Sequence, residues 1–310
     1  MKTFPNPKIN IGLNVLRKRA DGFHDLETLF VPYFGMTDEL EIVDASGSVC
    51  LRKASASLHP SQPGGWAPPS DMPEGGQPFL EANTAGSKLN IRIIGSKVDW
   101  DPKKDLTVKA YEILDAEFNL PPVEIVLRKN IPVGAGLGGG SSDAAFTLKM
   151  LNEMFSIGLD DAALAGYAAR LGSDCAFFIY NRPMFGTGRG EVLEPYDIDI
   201  DAWQLKVEVP SGVSVSTAEA YRGVLAAKSQ DSACTPLREV LALPVEQWKN
   251  CLFNDFEATV FPVHPEIASL KRRFYDEGAV YAAMSGSGSA VFGMFRKILN
   301  KRESFASVRI

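Results

Sequence analysis

Five glycines fall within seven positions, Gly134, Gly136, Gly138, Gly139 and Gly140, inside the run Ile131-Pro-Val-Gly-Ala-Gly-Leu-Gly-Gly-Gly-Ser-Ser-Asp143. Glycine lets a backbone adopt positive φ and lets a ligand reach main-chain amides with no Cβ in the way. Directly afterwards Ala144, Ala145, Leu148 and Leu151 recur at helical spacing, with Ser141, Ser142 and Asp143 expected at the cap. A glycine loop that opens a helix is an anion site, because free N–H groups point outward and the helix dipole favours negative charge. The chemistry implied is phosphate binding.

Two common phosphate motifs fit this loop poorly. Gly134-Ala-Gly136-Leu-Gly-Gly139 satisfies G-x-G-x-x-G, but a dinucleotide turn follows its strand directly and is trailed by an acidic residue about 20 positions on. Here Lys129-Asn130-Ile131-Pro132 separates the loop from the apolar strand Val123–Leu127, and Gly158-Leu-Asp160-Asp161 reads as the start of another helix. The pattern G-x-x-x-x-G-K-[ST] fails because Gly140 occupies the lysine position.

Two charged residues stand at the starts of patterned segments. Lys8-Ile-Asn-Ile-Gly-Leu-Asn-Val15 alternates, with Ile9, Ile11, Leu13 and Val15 on one face and Lys8, Asn10, Gly12 and Asn14 on the other. Taken alone, this suits an edge strand with a surface lysine as well as it suits a site. Asp174 stands at the mouth of the apolar run Cys175–Ile179, a position that suits a helix N-cap.

The elements that would position these residues resemble those of the GHMP kinases, the galactokinase, homoserine kinase and mevalonate kinase group. Pro132-Val-Gly-Ala-Gly-Leu-Gly-Gly-Gly-Ser-Ser142 is similar to the family loop that cradles ATP phosphates without a Walker lysine. The resemblance makes Pro132, Val133, Gly134, Ala135, Gly136, Leu137, Gly138, Gly139, Gly140, Ser141 and Ser142 the ATP site, with Mg²⁺ bridging phosphate oxygens and Ser142 as a candidate metal contact. Pro7-Lys8-Ile-Asn10-Ile-Gly-Leu is similar to an opening motif whose lysine and asparagine face the transferred phosphate and the acceptor hydroxyl. Leu171-Gly-Ser-Asp174-Cys-Ala-Phe-Phe is similar to the motif that carries the catalytic aspartate.

Arg19-Ala-Asp21-Gly22-Phe23-His24 narrows the resemblance to a branch whose acceptor is a cytidyl diphosphate ester. It implies that Phe23 stacks on cytosine and that His24 hydrogen-bonds the base edge. Phe23 stands where many members have tyrosine, which keeps the stacking face. Pro210-Ser-Gly212-Val-Ser-Val-Ser-Thr217-Ala-Glu-Ala-Tyr221 implies a substrate contact at Thr217 and a second aromatic face at Tyr221. Leu252–Glu257 and Met284–Ser289 match further family segments, the latter a glycine-serine turn beside the phosphate loop. Asp105 departs from the asparagine usual before the helix that starts at Leu106.

The implied fold is α+β, a two-domain GHMP-kinase-like architecture with the active site in the interdomain cleft. Residues 1–186 would form the nucleotide-binding domain and 187–310 the substrate-binding domain. Two alternatives stay open. A GHMP kinase for another alcohol, of mevalonate or homoserine type, would have no use for Asp-Gly-Phe-His and a paired aromatic. A non-catalytic relative that only binds nucleotide would have no need for both Lys8 and Asp174.

Composition sets the outer bounds. At 310 residues, with 45% hydrophobic content, the chain can bury a large core in two domains. A net charge of −6 argues against nucleic acid or an anionic membrane as partner. There is no window of 18 uncharged apolar residues and no signal-like start, so a cytoplasmic location is expected. Cys50, Cys175, Cys234 and Cys251 share no ligand spacing with His24, His59 or His264, which disfavours zinc and a disulfide framework. The stretch at about 45–88 is rich in Pro, Gly and Ser; it cannot offset its ordering entropy by burial and reads as an insertion that lengthens a hairpin.

Overall fold

A computed structural model describes residues 1–46, 80–82, 88–95, 100–227 and 235–297 of the chain. Most of the expected insertion, and the chain end beyond residue 297, lie outside the described residues. The first strands are β1 (Lys2–Thr3), β2 (Lys8–Lys18), β3 (His24–Pro32) and β4 (Glu39–Asp44). Then come β5 (Leu80–Ala82), β6 (Leu89–Gly95), β7 (Val123–Lys129), β8 (Met184–Thr187) and β9 (Val192–Pro195). The last are β10 (Trp203–Glu208), β11 (Tyr281–Met284) and β12 (Val291–Arg296).

They form three sheets, ordered β1-β4-β7-β6-β5, β2-β3-β8-β9 and β10-β12-β11. The first is mixed: β6 and β7 run parallel and the other neighbours antiparallel. A parallel pair needs a crossover, supplied here by α1 (Leu106–Phe118). Asp105 caps that helix, accepting from the Thr107 amide at 2.9 Å and from Trp100 Nε1 at 3.2 Å. An aspartate caps as well as an asparagine would, so the departure seen in the sequence has a local use. The helices α2 (Gly139–Met154), α3 (Asp161–Leu171) and α4 (Cys175–Tyr180) join α1 and the first sheet around one core.

β2 belongs to two other cores because it bends. Its register against β3 shifts between Ile11 and Leu13, and Gly12 between them takes φ +69°. A glycine in the left-handed region is what such a bulge requires. An added Cβ at Gly12 would meet Leu252 Cδ1 at 2.6 Å. Before the bulge, Ile9 and Ile11 pack with Phe185, Tyr281 and Phe292. After it, Leu13 and Val15 pack with Ile267, Leu270 and Phe274, the last three from the helix Pro265–Asp276. The uncovered edge of β2 is closed by chain 253–255, through Leu13 N to Phe253 O at 2.9 Å and Asp255 N to Leu13 O at 2.9 Å. This overturns the edge-strand reading of Lys8: residues 8–15 are all buried.

Candidate active site

Lys8 is where three segments meet. Its ammonium donates to Asn10 Oδ1 at 2.5 Å and to Gly136 O at 3.0 Å, and it pairs with Asp174 Oδ2 at 3.3 Å. These account for the three donors a lysine has. The Lys8 side chain is only 4% exposed, while that of Asp174 is 32% exposed. The carboxylate therefore faces an opening and the lysine supports it from within. Asn10 is itself fixed, donating to Thr28 Oγ1 at 3.0 Å, and Thr28 donates to Gly12 O at 2.7 Å. Asp174 occupies the residue before α4, yet its side chain makes no capping hydrogen bond. The cap suggested by its position is not formed; the partner is across the chain, not along it.

The glycine loop alternates between turning and anchoring. Gly134, Gly136 and Gly138 take φ of +72°, +76° and +71°, while Ala135 and Leu137 between them are buried. The anchored residues hold the loop to its neighbours: Leu137 O accepts from Lys8 N and Ala135 O from Ala290 N, both at 3.0 Å. At Gly136 an added Cβ would lie 2.2 Å from Ser285 O, so the glycine-serine turn at 284–289 lies directly on the loop. Asn254 fixes that turn, donating to Met284 O and Gly286 O, each at 2.8 Å. Val133, Gly134 and Gly140 form the exposed side, and Gly140 has nothing within 4 Å of its Cβ position. Pro132, Gly139 and Ser141 are half-buried between these faces.

The start of α2 corrects two expectations. The helix begins at Gly139 with Gly138 as its cap residue, so Ser141, Ser142 and Asp143 are in the first turns and cap nothing. The glycines expected to be loop are already helical. Ser142 is fully buried and its hydroxyl donates to Asn6 O at 2.7 Å. It ties the loop to the chain before β2, and its oxygen does not face the open side, so its reading as a metal contact is withdrawn. Among the described residues, no group of three or more His, Cys, Asp or Glu side chains could hold a metal.

Asp143 turns inward to a buried triad that the sequence pattern did not reveal. Lys129, at the end of β7, reaches Asp143 Oδ2 at 2.5 Å and also binds Asp38. Asp38 Oδ1 accepts from the amides of Asn130 at 2.5 Å and Ile131 at 2.7 Å. Both ends of the loop are thus fastened to one lysine. Asp143 Oδ1 is buried without a hydrogen-bond partner. Burial, opposed by the Lys129 charge and reinforced by that of Asp38, pushes the Asp143 carboxyl well above its usual range. Unpaired in sequence, these residues carry no motif; only the Lys-before-loop and Asp-after-loop placement could have hinted at them.

The aromatic group also differs in detail from the simple clamp. His24, not Phe23, lies face to face with Tyr221, with ring centroids 4.6 Å apart and planes 20° apart. Burial, helped by the nearby Lys18 charge, lowers the His24 pKa, which favours the neutral ring. Phe23 precedes β3 on an exposed turn, and its ring carries the Arg189 guanidinium at 4.9 Å. Tyr221 ends the helix α5 (Thr217–Tyr221), which Ser216 caps at 3.1 Å from Glu219 N. Burial, then the charge of Asp174, raises the Tyr221 hydroxyl pKa. Thr217, at the exposed start of α5, is not brought against Lys8 or Asp174 by any hydrogen bond. The buried Cys175 thiol, next to Asp174, is pushed up to about 12 chiefly by burial, so it is a packing residue and no nucleophile.

A buried lysine on a bulged strand thus joins a glycine loop that opens a helix to an aspartate at a second helix start. Residues 105–182 match the GHMP kinases N terminal domain and residues 238–305 the GHMP kinases C terminal domain. The chain belongs to the GHMP kinase family, and is a small-molecule kinase that uses ATP. Curated relatives are named more narrowly. A 4-diphosphocytidyl-2-C-methyl-D-erythritol kinase of Bacteroides fragilis is 45% identical over 295 residues, covering 95% of this chain and 92% of its own. One of Bacteroides thetaiotaomicron is 43% identical over the same shares. A crystal structure of 4-(cytidine 5'-diphospho)-2C-methyl-D-erythritol kinase superposes with TM-score 0.66 at 28% identity, covering 95% of this chain and 90% of that one. The Methanococcus jannaschii mevalonate kinase, at 11% identity and TM-score 0.56, shares the fold.

Proposed function

We propose that the chain transfers the γ-phosphate of ATP to the 2-hydroxyl of 4-diphosphocytidyl-2-C-methyl-D-erythritol, giving the 2-phosphate and ADP, a step of non-mevalonate isoprenoid precursor synthesis. The observation that carries it is the Lys8–Asp174 pair beside the glycine loop, where Lys8 also donates to Gly136 O. The names of relatives at 43–45% identity support the same acceptor.

Phosphoryl transfer asks mainly for positioning and for charge to be met where it develops. The exposed amides of the loop and the first turn of α2 hold the β- and γ-phosphates. Asp174 accepts the proton of the acceptor hydroxyl as the oxygen bonds to phosphorus. Lys8, bonded to Gly136 O and Asp174 at once, keeps carboxylate and loop in register. Mg²⁺ would be carried by the nucleotide phosphates; Asp174, half open beside the loop, is the carboxylate whose oxygens suit such a hard cation. Bound there, the ion would offset phosphate charge.

Phe23 and Tyr221 supply stacking surface for the cytosine, and His24 reads its edge. A base lying on Tyr221 takes the face that His24 covers, so the imidazole turns from face contact to edge contact as the base enters. In this reading residues 1–186 serve the nucleotide and residues 187–310 the acceptor. Among the described residues no helix is long and apolar enough to cross a membrane. An ADP-release assay offering the cytidyl ester, mevalonate and homoserine tests the function. Turnover with the cytidyl ester alone is expected, and turnover with either other alcohol in its place would overturn the reading.

A further inference from the structure

Arg189 has no part in the chemistry described so far, yet it stands between the two halves of the site. It lies in the turn that joins β8 to β9. On one side its guanidinium rests on the Phe23 ring, 4.9 Å from the centroid, and its charge helps lower the pKa of Asp21 on the same exposed turn. On the other side the next residue, Gly190, has its Cβ position 3.9 Å from Asp174 Oδ1. The chain at 189–190 therefore touches both the aromatic platform and the catalytic carboxylate.

The turn is held firmly while the guanidinium is not. Leu26 N donates to Gly188 O at 2.7 Å, and Gly190 N to Thr187 O at 3.0 Å, which fixes the turn to β3. The Arg189 amide also donates to Glu191. The guanidinium itself has a single long contact with Glu191, Nε to Oε1 at 3.3 Å, and the side chain is 37% exposed. A planar fork of five donors with one of them engaged is free to take a new anionic partner.

The covalent order of the acceptor is base, ribose, diphosphate, then the carbon chain that bears the hydroxyl. With the base at Phe23 and Tyr221 and the hydroxyl at Asp174, the diphosphate crosses the ground between them. We propose that Arg189 binds this diphosphate bridge and so selects acceptors joined to cytidine through two phosphates. The inference rests on the proposed function and adds to it a specificity-determining residue. Arg189 also answers a charge problem, since Asp21, Asp174 and Glu191 would otherwise surround a dianionic bridge.

The test is calorimetric binding of cytidine, CMP and CDP, with ATP as a reference, to the whole wild-type chain and to Arg189→Ala and Arg189→Lys. In Arg189→Ala, CDP affinity should fall about tenfold to a hundredfold, the range of a hydrogen bond to a charged group. Cytidine and ATP affinity should be unchanged, and the melting temperature should match wild type. Arg189→Lys should recover part of the loss, because it restores charge without the fork. The CDP preference of the wild type should shrink with added salt, and that of Arg189→Ala should not. An equal loss for cytidine and CDP would mean that Arg189 only supports the Phe23 ring. A loss for ATP would place it at the other nucleotide. Either result, or no loss at all, overturns the assignment while leaving the proposed function standing. Wild-type protein that binds neither cytidine nor CDP overturns both.

Discussion

Asp174 is held by Lys8, 3.3 Å from carboxylate to ammonium, and not by the helix it precedes. The relationship separates its two sequence readings, since a capping aspartate would serve α4 and this one serves the cleft. Asp174→Asn keeps size and removes the proton-accepting charge, and no capping bond is lost. We expect turnover to fall by roughly 10²–10⁴-fold, with ATP affinity and melting temperature little changed. Near-normal turnover in the folded variant would reduce Asp174 to a structural residue.

Gly136→Ala should be far more damaging than its size suggests. The residue has φ +76°, and a Cβ would lie 2.2 Å from the Ser285 carbonyl oxygen. The clash is with backbone, which has no rotamer to escape into, and it would part the glycine loop from the 284–289 turn. Loss of ATP binding together with a lowered melting temperature is expected. Gly140→Ala, with open space around it and a helical position, is the control and should fold normally. A Gly136→Ala protein that binds ATP as wild type does would contradict the close packing of the two turns.

Lys129→Met leaves Asp38 and Asp143 buried without their shared cation. Breaking a buried pair by removing one partner costs roughly 3–5 kcal/mol, which denaturant unfolding will read directly.

Asp143 itself carries a pH signature. Its folded carboxyl is raised above the unfolded value, so its contribution to stability is fully present below about pH 4 and is lost as pH climbs toward the folded value. The stability of wild type relative to Asp143→Asn should therefore decline as pH rises above about 4. A difference that grows with pH over that span would mean the Lys129 attraction outweighs burial.

The base-binding side chains should divide affinity from selectivity. Stacking on an aromatic is worth roughly 1–3 kcal/mol per base and tolerates any base, so Tyr221→Ala and Phe23→Ala should raise KM for the cytidyl ester and spare that for ATP. His24→Ala should lose preference over the uridyl analogue. A neutral imidazole offers one donor and one acceptor, and protonation removes the acceptor. Burial and Lys18 lower the His24 pKa. Acceptor affinity should thus be flat above about pH 6.5, the ordinary histidine value, and weaken only below it. A Tyr221→Ala variant that loses ATP and keeps the cytidyl ester would exchange the two pockets.

Much of the site was legible because it is built from contiguous segments. The glycine density at 134–140 announced an anion loop, and positive φ at Gly134, Gly136 and Gly138 is what that density provides. Lys8 and Asn10 could be placed on one face of a strand by alternation alone, and Asp174 at a helix start by the apolar run after it. What the sequence by itself determined was local: which segments turn, which are extended and which residue types stand at their ends.

Tertiary structure decided which of these residues serve each other. Alternation could not say that Lys8 is buried, because the cover over β2 comes from residues 253–255, and the bulge at Gly12 divides its apolar face between two cores. Ser142 and Asp143 had the composition of a cap, but α2 had already begun at Gly139, so burial turned one toward Asn6 and the other toward Lys129. The Lys129–Asp38 pair and the approach of Arg189 to Phe23 join residues 91 and 166 positions apart. Charge pairs at such separations leave no periodic trace in a sequence, since they depend on where the sheets bring their ends.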